Sequence, residues 1–388
     1  MTGPGHDVAI IGGGIVGVAT AAFIAETGAR VVLYEREGLG AGASGANSGV
    51  IQHPFDPALR SVHIETVRLY RTLTEADAGF RLAPEPAGML LVSRNGAVVR
   101  SLAGWLNASM PDLLPEFVEG TALRALEPLL APEVVACRVN IGYPVPPAAS
   151  TYAYATLAER FGATIRLGRS ATPVIRSGRA VGCLVDGQLE PAGAVVVAAG
   201  PWTSELIDPS GGWRPIRPLW GVVVETSLEL APGHVLEEAE MDEALGTGEV
   251  GPEAGEAESS AAEYGSMPRF SLVTAAGASA VGSTFLDELP DPASWVVPIL
   301  SHAAEFVPSL AGAPIRSVRA CARPLAADGR PLIGQVPGVD GLYVCAGHGP
   351  WGISTGPGSA RLVADAVLGR QRAIPAELDT GRFGAPAF

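Results

Sequence analysis

Positive charge is scarce in this 388-residue chain: 26 basic side chains face 40 acidic ones, for a net charge of −14. Nucleic acid and anionic membrane both need clustered Lys and Arg, so neither is an expected partner. Cysteine is sparse as well. Its four copies, at 137, 183, 321 and 345, form no metal-spaced pair, which argues against zinc or any other bound metal and suits a cytoplasmic location. Long apolar runs are missing too, since no stretch reaches the roughly 18 residues that span a bilayer. The apolar run near the N-terminus is broken by glycine and lacks a basic leader, so it reads as strand and turn and not as a signal peptide. What remains is globular: 47% apolar and 17% charged, with length enough for two domains.

The N-terminal run passes directly into Gly12-x-Gly14-x-x-Gly17 and an alanine-rich stretch that includes Ile15, Val16 and Val18 to Thr27. This is the order strand, tight turn, helix. Gly12 permits the turn, Gly14 lets backbone approach a pyrophosphate, and Gly17 lets the helix pack on the strand. A second apolar run, Ala29 to Tyr34, ends in Glu35, a carboxylate placed to accept both hydroxyls of an adenosine ribose, followed by Arg36. More than 300 residues later a second glycine-rich loop appears, Gly347 to Ser354. A dinucleotide that needs both ends of a chain points to FAD and not to NAD.

Between them, Gly38 to Ile51 is a run of small residues, read as backbone packed closely on a ligand, with a flexible linker as the alternative. Pro57 to Ala78 carries helical periodicity, and residues 81–147 mix short strands with a proline-rich path. The α/β pattern returns with a helix over 151–161 and strands at 164–167, 174–175, 180–186 and 194–199. The last of these runs into Ala199-Gly200-Pro201-Trp202, where a ligand would lie beyond the strand's carboxyl end. Alternating strands, as at 221–225 and 270–274, fill 210–320. The stretch Glu237 to Ser266, with ten acidic residues, reads as a solvated surface loop and, secondarily, as an active-site lid.

The cradle, the Gly-Ala-Ser-Gly-Ala-Asn-Ser-Gly segment, the Val-Val-Ala-Ala-Gly-Pro-Trp-Thr strand end, and Arg323-Pro-Leu-Ala-Ala-Asp-Gly-Arg-Pro-Leu-Ile-Gly with Gly347-His-Gly-Pro-Trp-Gly-Ile-Ser together resemble the D-amino-acid oxidase, glycine oxidase and sarcosine oxidase superfamily over nearly the whole chain. The resemblance is strongest to glycine oxidase-like enzymes. It implies a Rossmann-type FAD-binding domain in three segments, 1–80, 148–208 and 321–388. A substrate domain on a mainly antiparallel sheet would comprise 81–147 and 209–320. By the same resemblance, FAD would touch Ala43, Ser44, Asn47, Ser48 and Gly49 near the pyrophosphate, and Val174 at the adenine. Ala199, Gly200 and Trp202 would follow the strand end, and Gly347, His348, Gly349, Gly352, Ile353 and Ser354 would meet the flavin edge. Reduction places negative charge at that edge, which N–H donors and a helix N-terminus stabilise.

For the substrate, Arg323 resembles the arginine with which glycine oxidases grip a carboxylate, a task suited to a planar fork of donors. The alternative is a structural ion pair with Asp328. Val50, Ile51, Phe270 and Trp351 are the other expected pocket residues. Phe270 stands where those enzymes often carry a tyrosine, and Pro350 with Trp351 replaces a polar residue, so an apolar wall beside one carboxylate clamp is expected. Tyr264 is a candidate for the missing hydroxyl. His348 and His53 are more economically loop and core residues than general bases, because hydride loss from a neutral amine needs none. Cys321 resembles in position the cysteine that sarcosine oxidases attach to flavin, against its ordinary role as a small apolar filler.

The expected activity is oxidation of an amino acid or N-substituted glycine, including N-carboxymethyl precursors of β-amino acids, with imine hydrolysis and reduction of dioxygen to hydrogen peroxide. A 2-hydroxyglutarate-like 2-hydroxy-acid dehydrogenase is the alternative within the superfamily, weakened because Gln52 intervenes before His53. A flavoprotein without turnover is the alternative outside it.

Overall fold

The first apolar run forms the strand His6–Ile11, and its Val8 to Ile11 are buried on both faces. That is the signature of a parallel sheet covered by helices. In the computed structural model, which describes residues 5–241 and 267–387, this strand pairs in parallel with Val31–Glu35 on one side and Gln188–Val197 on the other. Beyond the Glu35 strand the sheet adds Thr164–Leu167. Beyond the other edge it adds Leu342–Ala346 and then an antiparallel Leu332–Gln335. The two ends of the chain therefore share one sheet. Helix Ile15–Ala25 is apolar all round and every residue of it is buried, because it lies between helices Ala149–Arg160 and Gly352–Val367.

The second sheet runs in the order 315–326, 216–226, 278–282, 271–275, 235–238, 89–93, 135–139, 116–118. All its pairings are antiparallel except that between Val235–Glu238 and Met89–Ser93. This is the mainly antiparallel sheet expected of a substrate domain, and the fold is the two-domain arrangement anticipated from sequence.

Four local expectations need correction. The boundary at 320/321 falls inside the long strand Ile315–Ala326, so Cys321 and Arg323 stand on the second sheet. The proline-rich region contains a helix, Gly96–Ser109, started by Asn95, whose side chain accepts from the Ala97 N–H at 3.1 Å. The amphipathic segment is shorter than expected: Pro57–Leu59 is a 3-10 turn and the α-helix is Arg60–Glu75. The acidic stretch begins as sheet, since Glu237 and Glu238 close the strand Val235–Glu238 and are both buried. Residues 242–266, with Tyr264, lie outside the described residues. Within the described residues no helix is long and apolar enough to cross a membrane.

Candidate active site

One cavity of about 450 Å³ joins the glycine cradle to the face of the second sheet. At the cradle end Gly12 adopts φ +113°, and a Cβ on it would strike the Ala198 carbonyl. A Cβ on Gly17 would strike the Gly12 carbonyl, so both glycines are required by close packing, as their spacing suggested. The Glu35 carboxylate accepts from the Gly13 N–H at 2.6 Å and the Glu37 N–H at 2.8 Å while lining the cavity. Ser44 Oγ accepts from the Ile15 N–H at 3.0 Å, tying the small-residue segment to the helix N-terminus. Arg36 lies 4.0 Å over the Trp202 ring, and both line the cavity with Ala199 and Gly200. Ile15, Val16, Ala43, Asn47, Ser48 and Gly49 line it too. On its far side come His348, Gly349, Gly352, Ile353 and Ser354, at the N-terminus of the 16-residue helix Gly352–Val367.

The second sheet closes the cavity with a charged centre. Arg323 is buried, and it donates to the Thr284 carbonyl at 2.8 Å and to Ser283 Oγ. Its Cζ lies 4.7 Å from the Phe285 ring centroid. Burial pushes its pKa down, but a guanidinium stays charged in proteins. Asp328 is not its partner: that carboxylate pairs with Arg382 at 2.7 Å, and among the described residues no carboxylate bridges Arg323. Phe285 packs with Met241 and Trp351, and Val50, Val223 and Val273 line the same cavity, so its surface is largely apolar. Cys321 shares the strand face with Arg323; burial raises its thiol pKa, and Arg323 and Arg319 pull the other way.

Several expected residues sit elsewhere. Phe270 is fully buried on the other face of its strand, stacked on Phe306 at 4.7 Å, and Ser271 and Val273 line the cavity instead. Side chains alternate along a strand, so an error of one residue moves the whole set to the wrong face. The same alternation removes Ile51, which is buried in the helix-side core, and brings Gln52 to the cavity. Val174 does not line it; Ala171 and Thr172, at the start of the strand Ala171–Arg176, do. Gly347 is a turn glycine at φ +91° just behind the lining residues. His348 lines the cavity, but burial holds its pKa down to about 4, so it carries no charge near neutrality. His53 is buried away from the cavity, 5.1 Å from His63, and also falls to about 4 through burial.

Sequence reasoning missed Gly221, Ser283, Glu237 and Arg319. A Cβ on Gly221 would overlap the Arg323 guanidinium, so this glycine makes the slot in which the cation lies. Arg319 donates to the main-chain oxygens of Ala46 at 3.3 Å and Asn47 at 3.0 Å and pairs with Glu225 at 2.9 Å. Strict alternation from Arg323 would have put Arg319 on the same face; nothing in the sequence marks Gly221.

The profile of the family described as FAD dependent oxidoreductase matches residues 7–366. The chain belongs to that family. Among curated relatives of this FAD dependent oxidoreductase, glycine oxidase of Geobacillus kaustophilus (strain HTA426) is 28% identical over 390 aligned positions, covering 95% of this chain and 94% of its own. Glycine oxidase of Pseudomonas aeruginosa is 25% identical, covering 95% and 96%. Among solved structures, iminodiacetate oxidase from Chelativorans sp. BNC1 has a TM-score of 0.79 at 24% identity, with 98% of both chains covered. L-proline dehydrogenase from P. horikoshii reaches 0.80 at 19%, with 99% of both covered. The cofactor is FAD, and the cavity suits it. Bare glycines at the turn, the Glu35 carboxylate and the N-termini of two helices line one shared space.

Proposed function

We propose that this FAD dependent oxidoreductase oxidises the C–N bond of an amino acid or an N-substituted glycine, with N-carboxymethyl amines in its range. The observation that carries the reading is Arg323. Its hydrogen bonds within the described residues go to neutral oxygens, yet it is a buried cation at the wall of the cofactor cavity. A buried charge is costly until an opposite charge meets it, and a carboxylate would do so through two parallel hydrogen bonds. The similarity to glycine oxidases supports a carboxylate next to an amine.

When bound, FAD would accept hydride from the α-carbon and pass the electrons to dioxygen, giving hydrogen peroxide. The side chains then have three tasks. Arg323 fixes the carboxylate and with it the direction of the α-C–H bond. Phe285, Met241 and Trp351 exclude water and accommodate an apolar substituent. The helix N-terminus at Gly352 to Ser354 offers N–H groups to negative charge gained on reduction. As the C–H bond breaks, the nitrogen lone pair forms the C=N bond, so no side-chain base is required. Water then hydrolyses the imine to an amine and a 2-oxo acid. His348, held neutral, serves as lining and not as base.

Anaerobic bleaching of the flavin by glycine, sarcosine, longer N-alkylglycines, D-amino acids and 2-hydroxy acids, followed by air, tests the reading. Bleaching by an amine with peroxide on reoxygenation is expected, together with a loss of about tenfold or more in kcat/KM for Arg323→Ala. Bleaching only by a 2-hydroxy acid, with slow reoxidation, would make the protein a hydroxy-acid dehydrogenase.

A further inference from the structure

The helix whose N-terminus borders the cavity does not hold its own first turn. In a regular helix the carbonyl of residue i receives the N–H of residue i+4. For Ile353, near the start of Gly352–Val367, that donor would be position 357, which is proline and has no N–H. The Ile353 carbonyl takes the Tyr70 hydroxyl instead, at 2.8 Å. One residue on, the Ser354 carbonyl lies 3.0 Å from His63 Nδ1; a carbonyl only accepts, so that nitrogen carries the proton. The Gly358 N–H, which Ser354 would receive in a regular helix, donates to Thr66 Oγ1 at 2.9 Å.

These three side chains come from one element. His63, Thr66 and Tyr70 are spaced three and four residues apart on the helix Arg60–Glu75, so they share its buried face. Gly358 lets the two helices close to that range, since a Cβ on it would strike the Val62 carbonyl. Thr66 and Tyr70 are fully buried and His63 nearly so. A polar group at such depth costs about 1–3 kcal/mol when its partner is removed.

A peptide unit is planar, with its carbonyl and its N–H pointing opposite ways. The hydroxyl that holds the Ile353 carbonyl therefore also fixes the Ser354 N–H, one of the four that a helix N-terminus leaves without an intrahelical partner. Ile353 and Ser354 both line the cavity, and the Gln52 N–H holds Ser354 Oγ at 3.0 Å from a further direction.

Resting on the reading above only in placing the flavin edge at Gly352 to Ser354, we propose that Tyr70 and His63 are positioning residues for the redox step. From behind the helix they aim its N-terminal N–H groups at the negative charge gained on reduction, and so raise the reduction potential of the flavin. Neither side chain lines the cavity, so each acts through the Ile353 and Ser354 backbone.

The test is the two-electron midpoint potential of the full-length holoenzyme, read by equilibration with a reference dye during enzymatic reduction, which needs no amine substrate. Tyr70→Phe keeps the ring against Phe80 and Tyr154 and removes only the hydroxyl. It should weaken binding of reduced relative to oxidised flavin at least about threefold, a fall of about 14 mV for two electrons. His63→Leu should do the same. Pro357→Ala supplies the missing N–H, so adding it to Tyr70→Phe should recover most of the fall. Leu73→Ala, in the apolar core on the same helix, should lower Tm and leave the potential unchanged. An unmoved potential in either Tyr70→Phe or His63→Leu would overturn the inference. An equal fall in Leu73→Ala, or no recovery with Pro357→Ala, would also overturn it, since general loosening would then be the cause. If no amine reduces the flavin, the proposed function fails, while the same potentials still judge this inference.

Discussion

Alanine at Gly221 should disable Arg323 without touching it. Gly221 lies on Ile216–Thr226 directly across from Cys321, and the Arg323 side chain leans over it towards Ser283. A Cβ built on Gly221 would fall on the guanidinium carbon and both terminal nitrogens, well inside the 3.0 Å that real Cβ atoms respect. The backbone there is not in the left-handed region, so alanine fits the strand and the cost falls on the guanidinium. Displacement of about 1 Å would break the 2.8 Å bond to the Thr284 carbonyl and misalign the fork. A charge-assisted contact is worth about 1.5–3 kcal/mol, so kcat/KM for a carboxylate-bearing amine should drop roughly 10- to 150-fold. Absorbance near 450 nm should show full FAD content, because the change lies on the substrate side. In an Arg323→Met background, Gly221→Ala should add almost nothing, since both remove one interaction. A Gly221→Ala enzyme within threefold of wild type would refute both the slot and the clamp.

Three other outcomes follow from the same geometry. Burial holds His53 and His348 to about 4, against an ordinary 6.5, and lowers His63 as well. The unfolded chain therefore takes up protons that the native state refuses. Stability should be full above pH 6.5 and fall as pH drops towards 4, by on the order of 3 kcal/mol for each of the first two; a Tm that stays flat from pH 7 to 4.5 would contradict this. Cys321 is buried with its thiol pKa raised, so acid denaturation should release all the flavin into the supernatant, whereas yellow protein in the pellet would establish a covalent bond. Glu35→Ala should raise the Kd for FAD about tenfold or more, read by fluorescence on reconstitution, because it would remove the carboxylate expected to accept from the ribose and leave the Gly13 and Glu37 N–H groups without their acceptor.

The cradle was legible in sequence because its residue types are dictated by contact at atomic range. Gly12 and Gly17 cannot be anything larger, and Glu35 ends a strand whose register is fixed by a wholly buried sheet. The strands at 164–167 and 179–185 were legible for a related reason, being short extended runs bounded by turns. The substrate wall was less so. On a strand buried on both faces, as at Phe270 to Val273, hydrophobicity does not distinguish core from cavity, and only the register reveals that Ser271 and Val273 look inward. Gly221 carries no local signal, because its need arises from a side chain two residues beyond its partner on another strand. The acidic run misled in the opposite way: ten carboxylates read as solvated, yet the first two end a strand in the interior.

The site depends on a junction that neither domain supplies alone. The small-residue segment has almost no side chain with which to hold itself against the second sheet, and Arg319 performs that task by donating to the Ala46 and Asn47 carbonyls. Glu225, on the neighbouring strand, fixes the same guanidinium from behind. Arg319 and Arg323 thus occupy alternate inward positions of one strand with unlike partners. The first meets the backbone that borders the cofactor cavity and is tied by a carboxylate. The second meets neutral oxygens at the cavity wall, where the proposed function gives it a substrate carboxylate. On the proposed function, a strand that carries both would couple cofactor seating to substrate alignment, because a shift of Ile315–Ala326 would move the Arg323 fork and the Ala46–Asn47 backbone together.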